Sequence, residues 1–282
     1  MKTMIEKLAV IANTTGHSLE EVVAQHVREA ILRRVSDSEY ADVMVLRGGM
    51  LTKIWVPPGM RNPQDVDFLA LYPFDVEGTQ QRFHVALAAT NIEDGIVFDL
   101  DSLQAKAIWE ETEFPGVRLS VGASVGEHYH PVQIDIGFGD PLVPPAQWID
   151  YPTLLEGLSI KLQACSPETL VGWKLHGLVE LGTKRWRPKD LYDLMLLIHY
   201  TVLDASLLLD AIAVAFSSRS TPLEKVLPLL SSPASWDNSR NRSKWQKFRN
   251  NNPNQLIPED LQECVTVVSE RLKGVMEALI EQ

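Results

Sequence analysis

The sequence predicts an α+β protein in which a β-rich first portion, built on a mixed sheet, gives way to a helical second portion. Short apolar runs of strand length fall at 42–47, 65–71, 96–100, 117–121, 131–139 and 159–165, and beyond them only helical periodicity remains. Helical patterns also stand between the early strand-like runs, as a sheet with covering helices requires. The boundary is placed at residue 165, giving a first lobe of 1–165 with N-terminal helices and a helical lobe of 166–282.

Taken in order, Ser18 and Glu21 have capping-box spacing ahead of Val22, Val23, Val27, Ala30 and Ile31, so 18–34 is expected as an amphipathic helix. The run 42–47 reads as a buried strand ending at Gly48-Gly49, followed by a short helix over 51–55 that Pro57-Pro58-Gly59 stops. In the strand at 65–71, alternation puts Asp65 and Asp67 on one face and Val66 and Phe68 on the other. Residues 77–90 fit a surface helix. Between the strands at 96–100 and 117–121 lies much of an acidic window, 91–113, with Glu93, Asp94, Asp99, Asp101, Glu110, Glu111 and Glu113 against Lys106.

In the strand at 131–139, Val132, Ile134, Ile136 and Phe138 share one face, which leaves Asp135 as an isolated acid on the other. Ser166-Pro167-Glu168 supplies a cap and an early proline for a helix over 167–181. Helices are expected at 189–200, 204–216 and 259–280, with loops at 231–241 and 250–253.

Composition narrows the function. Hydrophobic residues make up 45% of the 282 and charged residues 22%, the balance of an ordinary globular protein rather than a disordered one. A net charge of −11 argues against a surface that clings everywhere to nucleic acid, although 240–249 carries Arg240, Arg242, Lys244, Lys247 and Arg249 with no acid. Cys165 and Cys264 form no disulfide framework and no metal-ligand spacing, so a reducing cytoplasm is expected. The N-terminal run is too short and too charged for a signal peptide, and no segment reaches membrane length.

The candidate chemistry begins with Asp65, Asp67 and Asp135. If their strands pair with polar faces aligned, three carboxylates converge, and two Mg²⁺ ions with triphosphate oxygens would neutralise them for an in-line displacement. The structural alternative has Asp65 capping a turn and Asp135 meeting an arginine such as Arg61 or Arg118. Gly48 and Gly49 allow close backbone approach to a phosphate. Lys174 stands among Leu170, Val171 and Leu178, so it either reaches a triphosphate or snorkels out of an apolar face.

In the following segment, Asp190 either caps its helix or turns inward toward Lys174, and Asp193 has the four-residue spacing to pair with Lys189. Arg185, Arg187 and Lys189 could meet phosphates. Arg242, Lys244 and Lys247, interleaved with Trp245 and Phe248, suit either an RNA backbone or a solvated helix face whose aromatics enter the core. His128 and His130 lack a third ligand in the sequence and read as part of a turn.

The order of these motifs resembles the AbiEii/AbiGii-type nucleotidyltransferase toxins, including the MenT-like toxins, of the polymerase-β-like nucleotidyltransferase superfamily. The resemblance runs from about 40 to 200. It is carried by Leu46-Arg-Gly48-Gly49, by Arg61 four residues before Asp65-Val-Asp67-Phe, by Ile134-Asp135-Ile, and by Trp173-Lys174-Leu with Arg187-Pro-Lys189-Asp190-Leu-Tyr-Asp193-Leu.

The resemblance implies a polymerase-β-like fold and transfer of a nucleoside monophosphate from an NTP, with Mg²⁺ or Mn²⁺, to an RNA acceptor such as a tRNA 3′ end. It also implies a separately encoded antitoxin, possibly a winged-helix protein. Gly48, Gly49, Arg61 and Lys174 would serve the nucleotide, Asp65, Asp67 and Asp135 the metal, and Lys174 with Asp190 would be the additional lysine and aspartate of a cleft between the lobes. Two positions depart from the family pattern: Met50 replaces a hydroxyl residue after the glycines, and Pro63 replaces the Ser or Thr before the first acid. A nucleotidyltransferase acting on a small molecule or protein, and a catalytically silent nucleotide- or partner-binding module, are the competing readings.

Overall fold

The computed structural model describes residues 3–89, 93–226 and 236–281. The elements run α1 (Met4–Thr15), α2 (Leu19–Ser36), β1 (Met44–Arg47), α3 (Gly48–Ile54), β2 (Val66–Ala70), α4 (Val76–Leu87), β3 (Ile96–Ile108), β4 (Gly116–Val125), β5 (His128–Phe138), β6 (Gln147–Asp150) and β7 (Lys161–Ala164). The helical portion follows with α5 (Pro167–Arg185), α6 (Pro188–Tyr200), α7 (Ala205–Ser217), α8 (Ser239–Asn250) and α9 (Leu261–Ile280).

Among the described residues, the seven strands form one mixed sheet in the order β3-β4-β5-β2-β1-β7-β6. β2 runs parallel to β5 and β1 parallel to β7, while the other neighbours are antiparallel. The apolar face follows from the pleat: Leu46, Val66, Phe68, Ile134 and Ile136 are each 0% exposed. Placing β2 and β5 side by side matters most, because it brings together strands separated by two others in sequence.

The chain divides into two compact units. The first comprises 1–47, 64–140 and 147–164, and the second 48–63, 141–146 and 165–282. Two segments expected in the first lobe, 48–63 and 141–146, therefore pack with the helices. Prolines puncture both, and their backbone carbonyls find partners on α5, α6 and the 251–258 turn: Met60 accepts from the Tyr192 hydroxyl at 2.7 Å, Gly59 from the Leu256 N–H at 3.0 Å, and Val143 from the Thr169 hydroxyl at 2.8 Å.

Several expectations need correction. The acidic window is largely strand, since β3 continues to Ile108 and forms the sheet edge. Asp94 in that window is 0% exposed, held by Arg33 at 2.6 Å and by both outer nitrogens of Arg34 at 2.6 and 3.2 Å, while its backbone carbonyl meets His26 Nε2 at 2.8 Å. This clamp ties α2 to the start of β3, and it explains why α2 buries arginines that a surface helix would expose. The short helix begins at Gly48 rather than 51. Within the loop expected at 231–241, 231–235 lie outside the described residues and 239–241 already belong to α8.

Candidate active site

In the first unit, the parallel register of β2 and β5 sets Asp67 beside Asp135, and Asp65 occupies the bend just before β2, two residues from Asp67. One ligand oxygen from each of Asp65, Asp67 and Asp135 lies within 4.8 Å of the others, the one such acidic or metal-ligating cluster among the described residues. Asp65 and Asp67 are half-buried and Asp135 is buried. A set of carboxylate oxygens is the donor chemistry that a hard divalent cation such as Mg²⁺ or Mn²⁺ takes, so the residues present fit such an ion.

Asp135 also meets an arginine, as one sequence reading allowed. Arg118, its antiparallel partner on β4, grips it with a fork: Nε to Oδ1 at 2.8 Å and Nη2 to Oδ2 at 2.7 Å. Hydrogen bonding to Asp135, with the added attraction of Asp65 and Asp67, holds the Arg118 pKa above its ordinary value. Arg47, opposite Asp67 on β1, forms an ion pair with Asp140 at 2.8 Å.

In the second unit, Gly48 opens α3 with φ +72°, a conformation that glycine adopts without strain. Gly49 is required for a different reason: a Cβ there would lie 2.8 Å from Arg61 Nη2 and 3.0 Å from Pro63 Cβ. Arg61 is buried, and its Nε donates to Asp193 Oδ1 at 2.8 Å. The other oxygen of Asp193 accepts from Lys174 Nζ at 2.7 Å, while Asp190 lies 3.5 Å from the same ammonium and 2.6 Å from Arg187 Nε.

Burial alone would lower the Lys174 pKa, but Asp193 and Asp190 overcome it and hold the ammonium above its ordinary value. Burial would likewise raise the Asp193 carboxyl, yet Arg61 and Lys174 together keep it below the usual carboxylate range. Lys174 is thus an ion-paired cation within unit 2, and Asp190 does turn toward it.

The sequence reading missed Asp193 as a charge hub. The signal was present: Asp190, Asp193, Leu194 and Leu197 share the inward face of α6, and all four are buried. Met50 is fully buried, so the side chain at the departing position packs into the interior. Arg185 and Arg187 are exposed and Lys189 half-buried. On α8, Trp245 is buried and donates to the Pro258 carbonyl at 3.0 Å, while Arg242 pairs with Asp237 at 2.8 Å and Lys247 is exposed. Lys244 Nζ stands 5.4 Å from the centre of the Trp186 ring. His128 and His130 fall at the start of β5 and not in a turn.

Comparison with known proteins gives the family and the fold. Residues 30–267 match the family described as nucleotidyl transferase AbiEii toxin of a type IV toxin–antitoxin system. Two solved structures share the fold. The crystal structure of JHP933 from Helicobacter pylori superposes with a TM-score of 0.56 at 17% identity, covering 94% of this chain and 95% of that one. A candidate nucleotidyltransferase from H. pylori gives 0.56 at 18% identity, covering 94% and 98%. No curated protein matches the sequence.

Proposed function

The chain belongs to the AbiEii nucleotidyltransferase toxin family and is a nucleotidyltransferase, and from that premise we propose that it transfers a nucleoside monophosphate from an NTP to an RNA acceptor, a tRNA 3′ end by its resemblance. The observation that carries this reading is the β2–β5 register, which aligns Asp67 with Asp135 and Asp65 beside them as an oxygen donor set for Mg²⁺ or Mn²⁺. Bound there, the ion would neutralise phosphate oxygens during displacement of pyrophosphate. The chain's part is to hold three carboxylates in place before substrate arrives, with Arg118 fixing Asp135.

In the second unit, we assign Lys174, kept cationic by Asp193 and Asp190, to interaction with phosphate charge, and Asp190 to positioning an acceptor hydroxyl. Gly48, Gly49 and Arg61 carry the nucleotide-binding role that the family resemblance implies. The exposed cations Arg185, Arg187, Arg242 and Lys247, with half-buried Lys189 and Lys244, are assigned to the RNA backbone. A cognate antitoxin, of winged-helix type by resemblance, is the expected protein partner. Among the described residues, no helix is long and apolar enough to cross a membrane.

The test is incubation of the full chain with each labelled NTP, Mg²⁺ and total RNA, alongside Asp67→Asn. Label entering RNA in the wild type and disappearing in the variant supports the reading. Label on a small molecule or protein transfers the activity to another acceptor, which the net charge of −11 would suit better than RNA. Nucleotide binding without turnover leaves a silent binding module.

A further inference from the structure

We infer that the open cavity at the C-terminal end of α8 receives one unpaired nucleotide of the RNA acceptor and selects a base with an exocyclic amine. The inference rests on the RNA-acceptor reading and deepens it.

The cavity has a volume of about 360 Å³ and is lined by Arg249, Asn250, Asn252, Pro253, Gln255 and Ile257. That is near the lower end of the range for small-ligand sites, ~300–1,000 Å³, and suits a single nucleotide rather than a duplex. Gln255 is 9% exposed, and its Oε1 is buried without a hydrogen-bond partner. A relay of bonds fixes which way this amide points. The Phe248 carbonyl can only accept, so Asn252 turns Nδ2 toward it at 2.8 Å, which leaves Asn252 Oδ1 to accept from Gln255 Nε2 at 2.7 Å. The group left over is therefore an acceptor and not a donor. A buried acceptor without a partner is costly, so the cavity favours a ligand that brings an N–H.

The surroundings point the same way. Arg249 and Asn250 are the last two residues of α8, where the negative end of the helix dipole favours a donor over a further carbonyl. Pro253 and Ile257 offer apolar surface to the face of a base. Arg249 supplies a cation for the adjoining phosphate. Its ion pair with Glu259 is long, at 3.6 Å, and Glu259 is 91% exposed, so phosphate can replace it at little cost. Arg249 also continues the line of exposed cations Arg242 and Lys247 along α8. Cytosine and uracil are the same size, but cytosine presents an amine where uracil presents a second carbonyl, which would face Gln255 Oε1 acceptor to acceptor.

The experiment measures binding of fluorescein-labelled oligocytidylate and oligouridylate, each of about 12 nucleotides, to the full-length protein by fluorescence anisotropy at fixed salt. Oligocytidylate is expected to bind about tenfold tighter than oligouridylate. Gln255→Met, which keeps the length but lacks the oxygen, should bring the two affinities together, and Arg249→Gln should weaken both while keeping their ratio. Equal affinities on the wild type, a ratio that survives in a folded Gln255→Met, or affinities unchanged in Arg249→Gln overturns the subsite and leaves the RNA reading standing. No binding of either oligonucleotide or of total RNA overturns both. Circular dichroism confirms that the variants fold, and the wild-type ratio is decisive by itself should Gln255→Met not fold.

Discussion

Arg61 and Asp193, separated by 132 positions in sequence, are joined by a 2.8 Å hydrogen bond between Nε and Oδ1 in a buried setting. The same carboxylate holds Lys174, so one acid serves two cations. Removing one member of a buried ionic group leaves the others charged and desolvated, which costs about 3–5 kcal/mol. Asp193→Ala is therefore expected to lower stability by that amount in urea denaturation. A loss below about 1 kcal/mol would show that the cluster is solvated and not buried.

Gly49→Ala tests the same cluster from the backbone side. The new methyl would stand 2.8 Å from the Arg61 guanidinium, which Asp193 prevents from swinging aside. We expect destabilisation of about 1–3 kcal/mol, the usual cost of overpacking. Combining it with Arg61→Lys, whose side chain lacks the fork, should recover part of that loss. If the double variant is no better than the sum of the two single ones, the clash is not with Arg61.

Asp67→Asn should behave in the opposite way. Asp135 and Asp65 repel it while Arg118 attracts it, so removing its charge changes stability little, whereas activity falls on the order of 10²–10³-fold, the scale for losing one preorganised electrostatic group. Matched thermal melts and NTP-turnover rates check this. A variant that retained activity would remove the triad from the chemistry.

Stability should fall with acidity in two stages. Burial depresses the pKa of His26 and of His130, so their contribution is complete above the ordinary value of about 6.5 and is lost as pH drops below it, when the unfolded chain gains protons that the fold refuses. Asp193 and Asp94 are held low by their arginine partners and, for Asp193, Lys174, despite burial; their contribution is complete above about 3.9 and is lost as pH falls through the folded values. Urea titrations from pH 7.5 to 3 should show both declines, and His26→Gln should shrink only the upper one. A flat profile between pH 7.5 and 5 would count against the buried, neutral His26.

If α8 meets RNA, Lys247→Gln should weaken RNA binding without regard to sequence and reduce the salt-dependence slope by about 1, with thermal stability unchanged because the side chain is exposed. Filter binding across a salt series reads this directly. An unaltered slope would return the helix to a purely structural role.

How much of this was legible in the sequence differs from residue to residue. The pleat alone placed Asp65 and Asp67 on one face and isolated Asp135, because alternation is local. What local pattern cannot supply is register, and it is the long-range pairing of β2 with β5 that puts Asp67 opposite Asp135. The outer half of β3 and all of β6 escaped notice for a related reason: an edge strand with exposed Asp101 and Lys106, or exposed Gln147 and Trp148, has no buried face to impose a period of two. Asp94 looked like one of many solvated acids, since its two arginines lie 60 and 61 positions away.

The interleaving of the two units has a consequence for anyone wishing to split the protein. The chain passes between them at 47, 63, 140, 146 and 164, so neither unit is a continuous stretch. A two-fragment reporter cut after residue 165 would put Arg61 on one half and Asp193 on the other, and the helical half would be released with its central carboxylate missing a partner. Such halves should be silent when made separately and regain a folded helical unit only on reassociation, which makes this junction suited to conditional complementation and unsuited to isolating a stand-alone domain.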